Sequence, residues 1–154
     1  MAYRRIIIVG ENNVSVSFMC EVILRGLLKK KNVTEIDIIS RGLVVLFSEP
    51  VAPLAITVLE KYGYVIEDFR SSQLTEKDMD EADLILALTD ELAGRVHESY
   101  PSSTTVMSLG IFLDLDASIP DISGGSLEDY EKCFLILEQL MEAVADRIAG
   151  ELTL

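Results

Sequence analysis

The sequence predicts an α/β protein, a three-layer α/β/α sandwich built on a four-stranded parallel sheet. Two observations carry this. Short apolar runs alternate with segments of three-and-four apolar spacing along the whole chain, the pattern of strand–helix–strand units with right-handed crossovers. The 154 residues also suit one domain spanning 1–154, large enough to bury a substantial core. No internal repeat or low-complexity segment divides it.

Residues 5–9 read as a strand buried on both faces. Ser17 is the expected N-cap of the first helix, whose stripe is Cys20, Ile23, Leu24, Leu27 and Leu28. Lys29, Lys30 and Lys31 follow where positive charge favours a helix C-terminus. A second strand is expected over 35–40. Pro53 fits the first turn of the next helix, which buries Ala55, Val58, Leu59 and Tyr62 and stops at Gly63. Thr75 to Asp78 resembles a capping box. Residues 84–88 form the third strand, and Thr89 or Asp90 caps a helix ending near Pro101. The fourth strand is expected over 104–109. Ser126 to Asp129 caps a long last helix with the stripe Leu127, Tyr130, Phe134, Leu137, Met141, Val144 and Ile148. That makes about five helices and two longer loops, 42–49 and 110–125, both expected near the carboxyl edge of the sheet, where α/β proteins bind ligands.

Thirteen Lys and Arg against 26 Asp and Glu give a formal net charge of −13, which repels nucleic acid and anionic membranes. No apolar run reaches the ~20 residues that span a bilayer. The N-terminus lacks a signal-peptide pattern, so a cytoplasmic location is expected. Cys20 and Cys133 have no metal-ligand spacing and read as buried small hydrophobes. With one histidine, His97, no His-rich metal site is expected, and no cofactor is implied.

The chemistry concentrates after the first strand. A strand–loop–helix turn there makes a concave nest of backbone N–H groups, to which the helix N-terminus adds positive potential. The segment Val9-Gly10-Glu11-Asn12-Asn13-Val14-Ser15-Val16-Ser17-Phe18-Met19-Cys20-Glu21 resembles the phosphate loop of the low-molecular-weight protein tyrosine phosphatases, Val-Cys-x5-Arg-Ser-Pro-Met-Ala-Glu. Further segments resemble the family as well: Ser40-Arg41-Gly42, Glu49-Pro50-Val51, Phe69-Arg70-Ser71-Ser72-Gln73-Leu74, the strand from Ala82 to Thr89, and Ile119-Pro120-Asp121 through Tyr130. The similarity covers nearly the whole chain and implies the family fold, with strand order 2-1-3-4.

The resemblance also implies roles. In the family a cysteine thiolate attacks phosphorus, an arginine six residues later grips the phosphoryl oxygens, and an aspartate protonates the leaving group. Gly10 stands in the seat of the nucleophile and Val16 in that of the arginine. Asp121 matches the general acid, Asn13 the loop asparagine, Ser17 the serine beside the sulfur, and Met19 and Glu21 the first-turn pair. Phe18 replaces a proline, and Ser15 falls where some members carry a second cysteine. The expected phosphate loop is Gly10, Glu11, Asn12, Asn13, Val14, Ser15, Val16 and Ser17.

Glycine carries no nucleophile, and valine neither charge nor donor. The resulting expectation is a non-catalytic homologue that holds a phosphorylated protein or small anion. A phosphotyrosine or phosphoarginine phosphatase with weak or altered activity is the alternative, and a flavodoxin-like module holding a flavin or nucleotide phosphate ranks last, for want of a Ser/Thr-rich loop. Ser15 and Ser17 lack a neighbouring histidine base. Glu11 places a carboxylate beside the nest, which opposes a dianion. Arg70 swinging inward would restore positive charge, but a solvated surface arginine is the simpler reading. Cys20 is expected in the core, His97 on an exposed helix face, and Tyr100 and Tyr130 are expected to pack through their rings with hydroxyls at the surface. As an alternative to a retained acid, Asp121 caps its loop.

Overall fold

A computed structural model of the protein describes residues 3–122 and 124–152, with side chains through residue 150. The chain alternates β1 (Arg5–Gly10), α1 (Val16–Lys30), β2 (Asp37–Gly42), α2 (Pro53–Lys61), α3 (Glu76–Glu81), β3 (Leu84–Ala87), α4 (Asp90–Ser99), β4 (Thr105–Ser108), α5 (Leu109–Leu113) and α6 (Leu127–Leu152). The four strands are parallel in the order β2-β1-β3-β4, inside the expected α/β/α sandwich.

β1 is central, which explains its composition. Ile6, Ile7, Ile8 and Val9 are fully buried, each side chain contributing about 1.5–3 kcal/mol relative to exposure. Its register pairs Ile7 with Ile39 on one side and with Ile85 on the other. α1 packs on α6, and α2 rests against both, while α4 covers β3 and β4. The α6 stripe from Tyr130 through Phe134, Leu137, Met141 and Val144 to Ile148 lies in the core. Leu127 and Tyr62 lie partly outside it, the Tyr62 ring stacking on Phe134 at 4.5 Å.

The chain leaves β1 for β2 on one side and returns to β3 on the other. Such a reversal opens a crevice at the carboxyl ends of the strands, and the turn after β1 fills it. Gly42, ending β2, allows the close approach: a Cβ there would lie 2.9 Å from the Asn12 carbonyl carbon.

Several local expectations change. α1 begins at Val16, with Ser15 as an N-cap lacking a side-chain cap bond. Ser17 therefore lies inside the first turn and turns its hydroxyl toward the loop. β4 ends at Ser108, whose hydroxyl accepts the Ile111 N–H at 3.2 Å. Leu109 thus starts α5, and part of the expected 110–125 loop is helical. With this short helix the described residues hold six helices. β2 and β4 also begin later than expected, at Asp37 and Thr105.

Candidate functional site

The turn between β1 and α1 is held by one asparagine. Asn13 is buried and adopts φ 62°, a left-handed conformation that asparagine tolerates better than most residues. Its Nδ2 donates to Ser17 Oγ at 3.0 Å and Ser40 Oγ at 2.9 Å, and its Oδ1 accepts the Ser72 amide at 3.0 Å. Ser40 Oγ donates onward to Glu21 Oε1 at 2.8 Å, while Arg25 donates to the other Glu21 oxygen and to the Ile38 carbonyl at 3.1 Å. Charge, hydroxyls and amide are thus paired throughout a buried chain linking α1, β2 and the segment before α3. A satisfied network of this kind fixes backbone geometry.

That network fixes the backbone of the loop. Met19 N–H reaches Ser15 O at 2.8 Å, and Val14 N–H leans on Asn12 Oδ1 at 3.4 Å. The amides of Glu11, Asn12, Asn13, Ser15, Val16 and Ser17 make no hydrogen bond to the described residues. These six residues line a cavity of about 210 Å³ whose other walls include Leu88, Pro120, Asp121 and Ile122. The expected loop residues, Gly10 to Ser17, are therefore gathered with Asp121 at one place, except Val14, which does not line the cavity.

Gly10 and Val16, which the resemblance assigns to the seats of nucleophile and arginine, both line this space. A Cβ on Gly10 would fall 2.9 Å from Ser17 Cβ, 3.0 Å from Ser17 Oγ and 3.4 Å from Leu88 Cδ1. Real Cβ atoms do not sit that near a neighbouring Cβ, so the turn has closed around a residue without a side chain. Phe18 points away from the cavity and stacks, tilted, on Phe69 at 4.3 Å. Val16 instead lines the cavity, adding hydrocarbon to that of Leu88, Pro120 and Ile122.

No Lys or Arg is among the described cavity-lining residues. Arg70 does not swing inward; its guanidinium donates to the Ser48 carbonyl at 2.6 Å. Glu11, expected to burden the nest, is instead held by Arg95 of α4 at 2.7 Å, and Arg95 also meets Glu91 at 3.4 Å. The pairing sets a cation against the Glu11 carboxylate and offsets part of its field at the nest. Sequence reasoning missed it because 84 positions separate the two residues.

The surroundings are equally ordered. Gln73 donates to the Leu43 carbonyl at 2.7 Å and accepts the Val45 amide at 2.8 Å, which pins the turn after β2. Tyr100 supports Gln73: its hydroxyl takes an Nε2 hydrogen bond at 3.1 Å and donates to Leu74 O at 2.6 Å. Its hydroxyl is therefore engaged inside, contrary to expectation. Beyond this clamp, Leu46 and Phe47 project from the same turn, 82% and 79% exposed, and the turn touches the loop through the Val44 amide on Glu11 O at 2.9 Å. His97 lies on an exposed face of α4, as expected.

Cys20 and Cys133 are both buried and unpaired by disulfide. Burial pushes the Cys20 thiol far above its ordinary range, with a further rise from Cys133, and pushes Cys133 up to about 11. A raised thiol pKa means less thiolate at neutral pH. Neither cysteine is therefore expected to react with a thiol-specific chromogenic disulfide at pH 8 in the folded protein, and both react once it is unfolded. Rapid native labelling would contradict this placement.

Against known proteins the likeness is extensive. The family model described as "Low molecular weight phosphotyrosine protein phosphatase" matches residues 5–153. A curated relative, the "Probable low molecular weight protein-tyrosine-phosphatase EpsP" of Ralstonia nicotianae, is 27% identical over 146 residues, covering 94% of this chain and 96% of its own. The YwlE arginine phosphatase of Geobacillus stearothermophilus superposes with a TM-score of 0.85 at 27% identity, covering 97% of this chain and 96% of that one. The tyrosine phosphatase Wzb from Escherichia coli K30, solved with sulphate, gives 0.82 at 25% identity, with 95% and 99% coverage. With sheet order, loop and family model in agreement, the chain belongs to the low molecular weight phosphotyrosine protein phosphatase family.

Proposed function

We propose that this protein is a non-catalytic member of its family, a pseudophosphatase whose loop holds a phosphorylated protein segment or small oxyanion without cleaving it. One observation carries the reading: the loop keeps its buried scaffold and a run of amides without a hydrogen bond to the described residues, while the described cavity-lining residues include neither thiol nor guanidinium. Covalent phosphoryl transfer needs a nucleophile, and Ser15 and Ser17 have no histidine base beside them to serve as one. Asp121 lies at the cavity wall, but an acid that protonates a leaving group has no leaving group to serve here.

What remains is recognition by backbone dipoles. Amides at a helix N-terminus favour an anion, and the Arg95 pair moderates the opposing Glu11 charge. The fork of the missing arginine is absent from the balance, so an isolated anion is held weakly. Partner binding then draws on the neighbouring surface, where Leu46 and Phe47 stand free. That YwlE is an arginine phosphatase and Wzb was solved with sulphate supports an oxyanion as the occupant.

Two measurements test this. Turnover of p-nitrophenyl phosphate is expected to match that of Asp121→Ala, at background. Inorganic phosphate about tenfold above its Kd is expected to stabilise the fold by about 1.4 kcal/mol, raising Tm by roughly 3–5 °C over chloride at equal ionic strength. Turnover well above the Asp121→Ala control overturns the non-catalytic reading in favour of a weak hydrolase. An unchanged Tm in phosphate removes the anion-holding role.

A further inference from the structure

Beside the loop cavity, and sharing Leu88 with it, runs a second and larger groove of about 710 Å³ between the start of α4 and the segment after α5. Its charged lining is of one sign, Asp90, Asp114 and Asp116, with no cation among the described lining residues. Asp116 accepts a hydrogen bond from Ser118 at 3.1 Å. None of the three aspartates has a salt-bridge partner among the described residues, although most bases of this chain do. Between them the groove shows hydrocarbon: Ile111 is 64% and Leu115 46% exposed.

This combination narrows the occupant. Among the described residues no three acidic, His or Cys side chains are grouped closely enough to hold a metal ion, so a point cation is the wrong size. A dispersed negative wall with apolar footholds complements a longer chain whose cationic and aliphatic side chains alternate. We propose that the groove docks a basic, leucine-bearing peptide segment of the partner, its Lys or Arg side chains facing Asp90, Asp114 and Asp116 and its aliphatic side chains on Ile111 and Leu115. The proposal rests on the partner-binding reading of the loop and extends it. An anion on the amides and a cation in the groove, side by side, select a phosphorylated residue flanked by basic ones.

Asp114 supplies a clean probe. It closes α5 in a left-handed conformation, φ 54°, where glycine is at ease and asparagine nearly so. Both Asp114→Gly and Asp114→Asn thus remove the charge without harming the fold.

The test uses the intact protein and a short, unphosphorylated fluorescent peptide rich in arginine and leucine, with a glutamate-for-arginine counterpart. Because the peptide carries no phosphate, its binding does not require the loop. Asp114→Asn combined with Asp116→Asn is expected to weaken binding by about tenfold, and Asp114→Gly by about threefold with Tm unchanged or higher. Glu60→Gln combined with Glu98→Gln, the same charge change on distant exposed sites, is expected to leave affinity within about twofold. The glutamate peptide should not bind.

Equal weakening by the distant pair would show only the pull of net charge and would overturn the proposal, as would no binding of the arginine peptide. If the peptide fails while phosphate still raises Tm, the groove assignment falls and the loop reading stands. If phosphate fails while the peptide binds, the reverse holds.

Discussion

Replacing Asn13 with alanine is expected to lower the unfolding free energy by about 3 kcal/mol. Three hydrogen bonds disappear at once, to Ser17 Oγ, Ser40 Oγ and the Ser72 amide. An intramolecular hydrogen bond is worth about 0.5–1.5 kcal/mol net, but a buried partner left unpaired costs about 1–3 kcal/mol. The left-handed backbone at φ 62° adds roughly 1–2 kcal/mol for a residue with a Cβ and no compensating side-chain bond. Relaxation and water entry offset part of the sum. For a chain of this length the Tm should fall by roughly 6–12 °C.

Asn13→Gly separates the two causes. It loses the same hydrogen bonds but is free of the conformational penalty, so it should be more stable than Asn13→Ala by about 1 kcal/mol. Both variants are expected to lose the phosphate-induced rise in Tm, since the amides are aimed by the bonds they lack. Urea unfolding and thermal scans with and without phosphate read all of this. A loss under about 0.5 kcal/mol for Asn13→Ala would mean that the loop holds its shape without Asn13, contrary to the network described.

Strand–helix alternation, the central apolar β1 and the stripes of α1 and α6 were legible from residue spacing, because burial imposes those periods on any α/β chain. The sheet order came only with the family resemblance, since apolar runs carry no information about which strand lies beside which. α5 escaped because Leu109 to Leu113 is five residues long and nearly all apolar, too short to show a helical period. The one available sign was Ser108, a capping residue at the end of a strand.

Within the site, the composition of the loop was legible and its shape was not. Spacing marked Gly10 and Val16 as departures. It did not show that Ser17 leaves the cap position and moves in against Gly10, or that Arg95 takes up Glu11. Both depend on contacts across the sheet edge. The groove beside the loop is a sharper case: Asp90 opens α4 while Asp114 and Asp116 follow α5, and only the sheet's carboxyl edge brings them to one groove.

Closure of the loop over Gly10 sets the outcome of restoring the family's reactive pair. Gly10→Cys is expected to cost about 1–3 kcal/mol, because its Cβ would sit 2.9 Å from Ser17 Cβ. That atom belongs to the first turn of α1, held by Asn13, so it cannot rotate aside like the tip of a long side chain. Gly10→Cys with Val16→Arg should therefore be less stable than the parent, with only part of the loop open to phosphate. Adding Ser17→Gly removes both crowding atoms, Cβ and Oγ, but forfeits the Asn13 hydrogen bond and puts a glycine in α1 at a cost of about 1 kcal/mol. The triple variant should therefore match the double one in stability while giving the cysteine at position 10 room. In other hydrolases a covalent nucleophile is worth about 10⁶ in turnover. Recovery of even roughly 10²-fold over background on p-nitrophenyl phosphate would be readily measured in the triple variant. A further Asp121→Ala should then lower that rate by about 10²-fold or more, the usual worth of a positioned general acid, whereas in the parent the same change does nothing. Reverted variants that fold, bind phosphate and stay inert would show that Gly10 and Val16 do not occupy the seats of nucleophile and clamp.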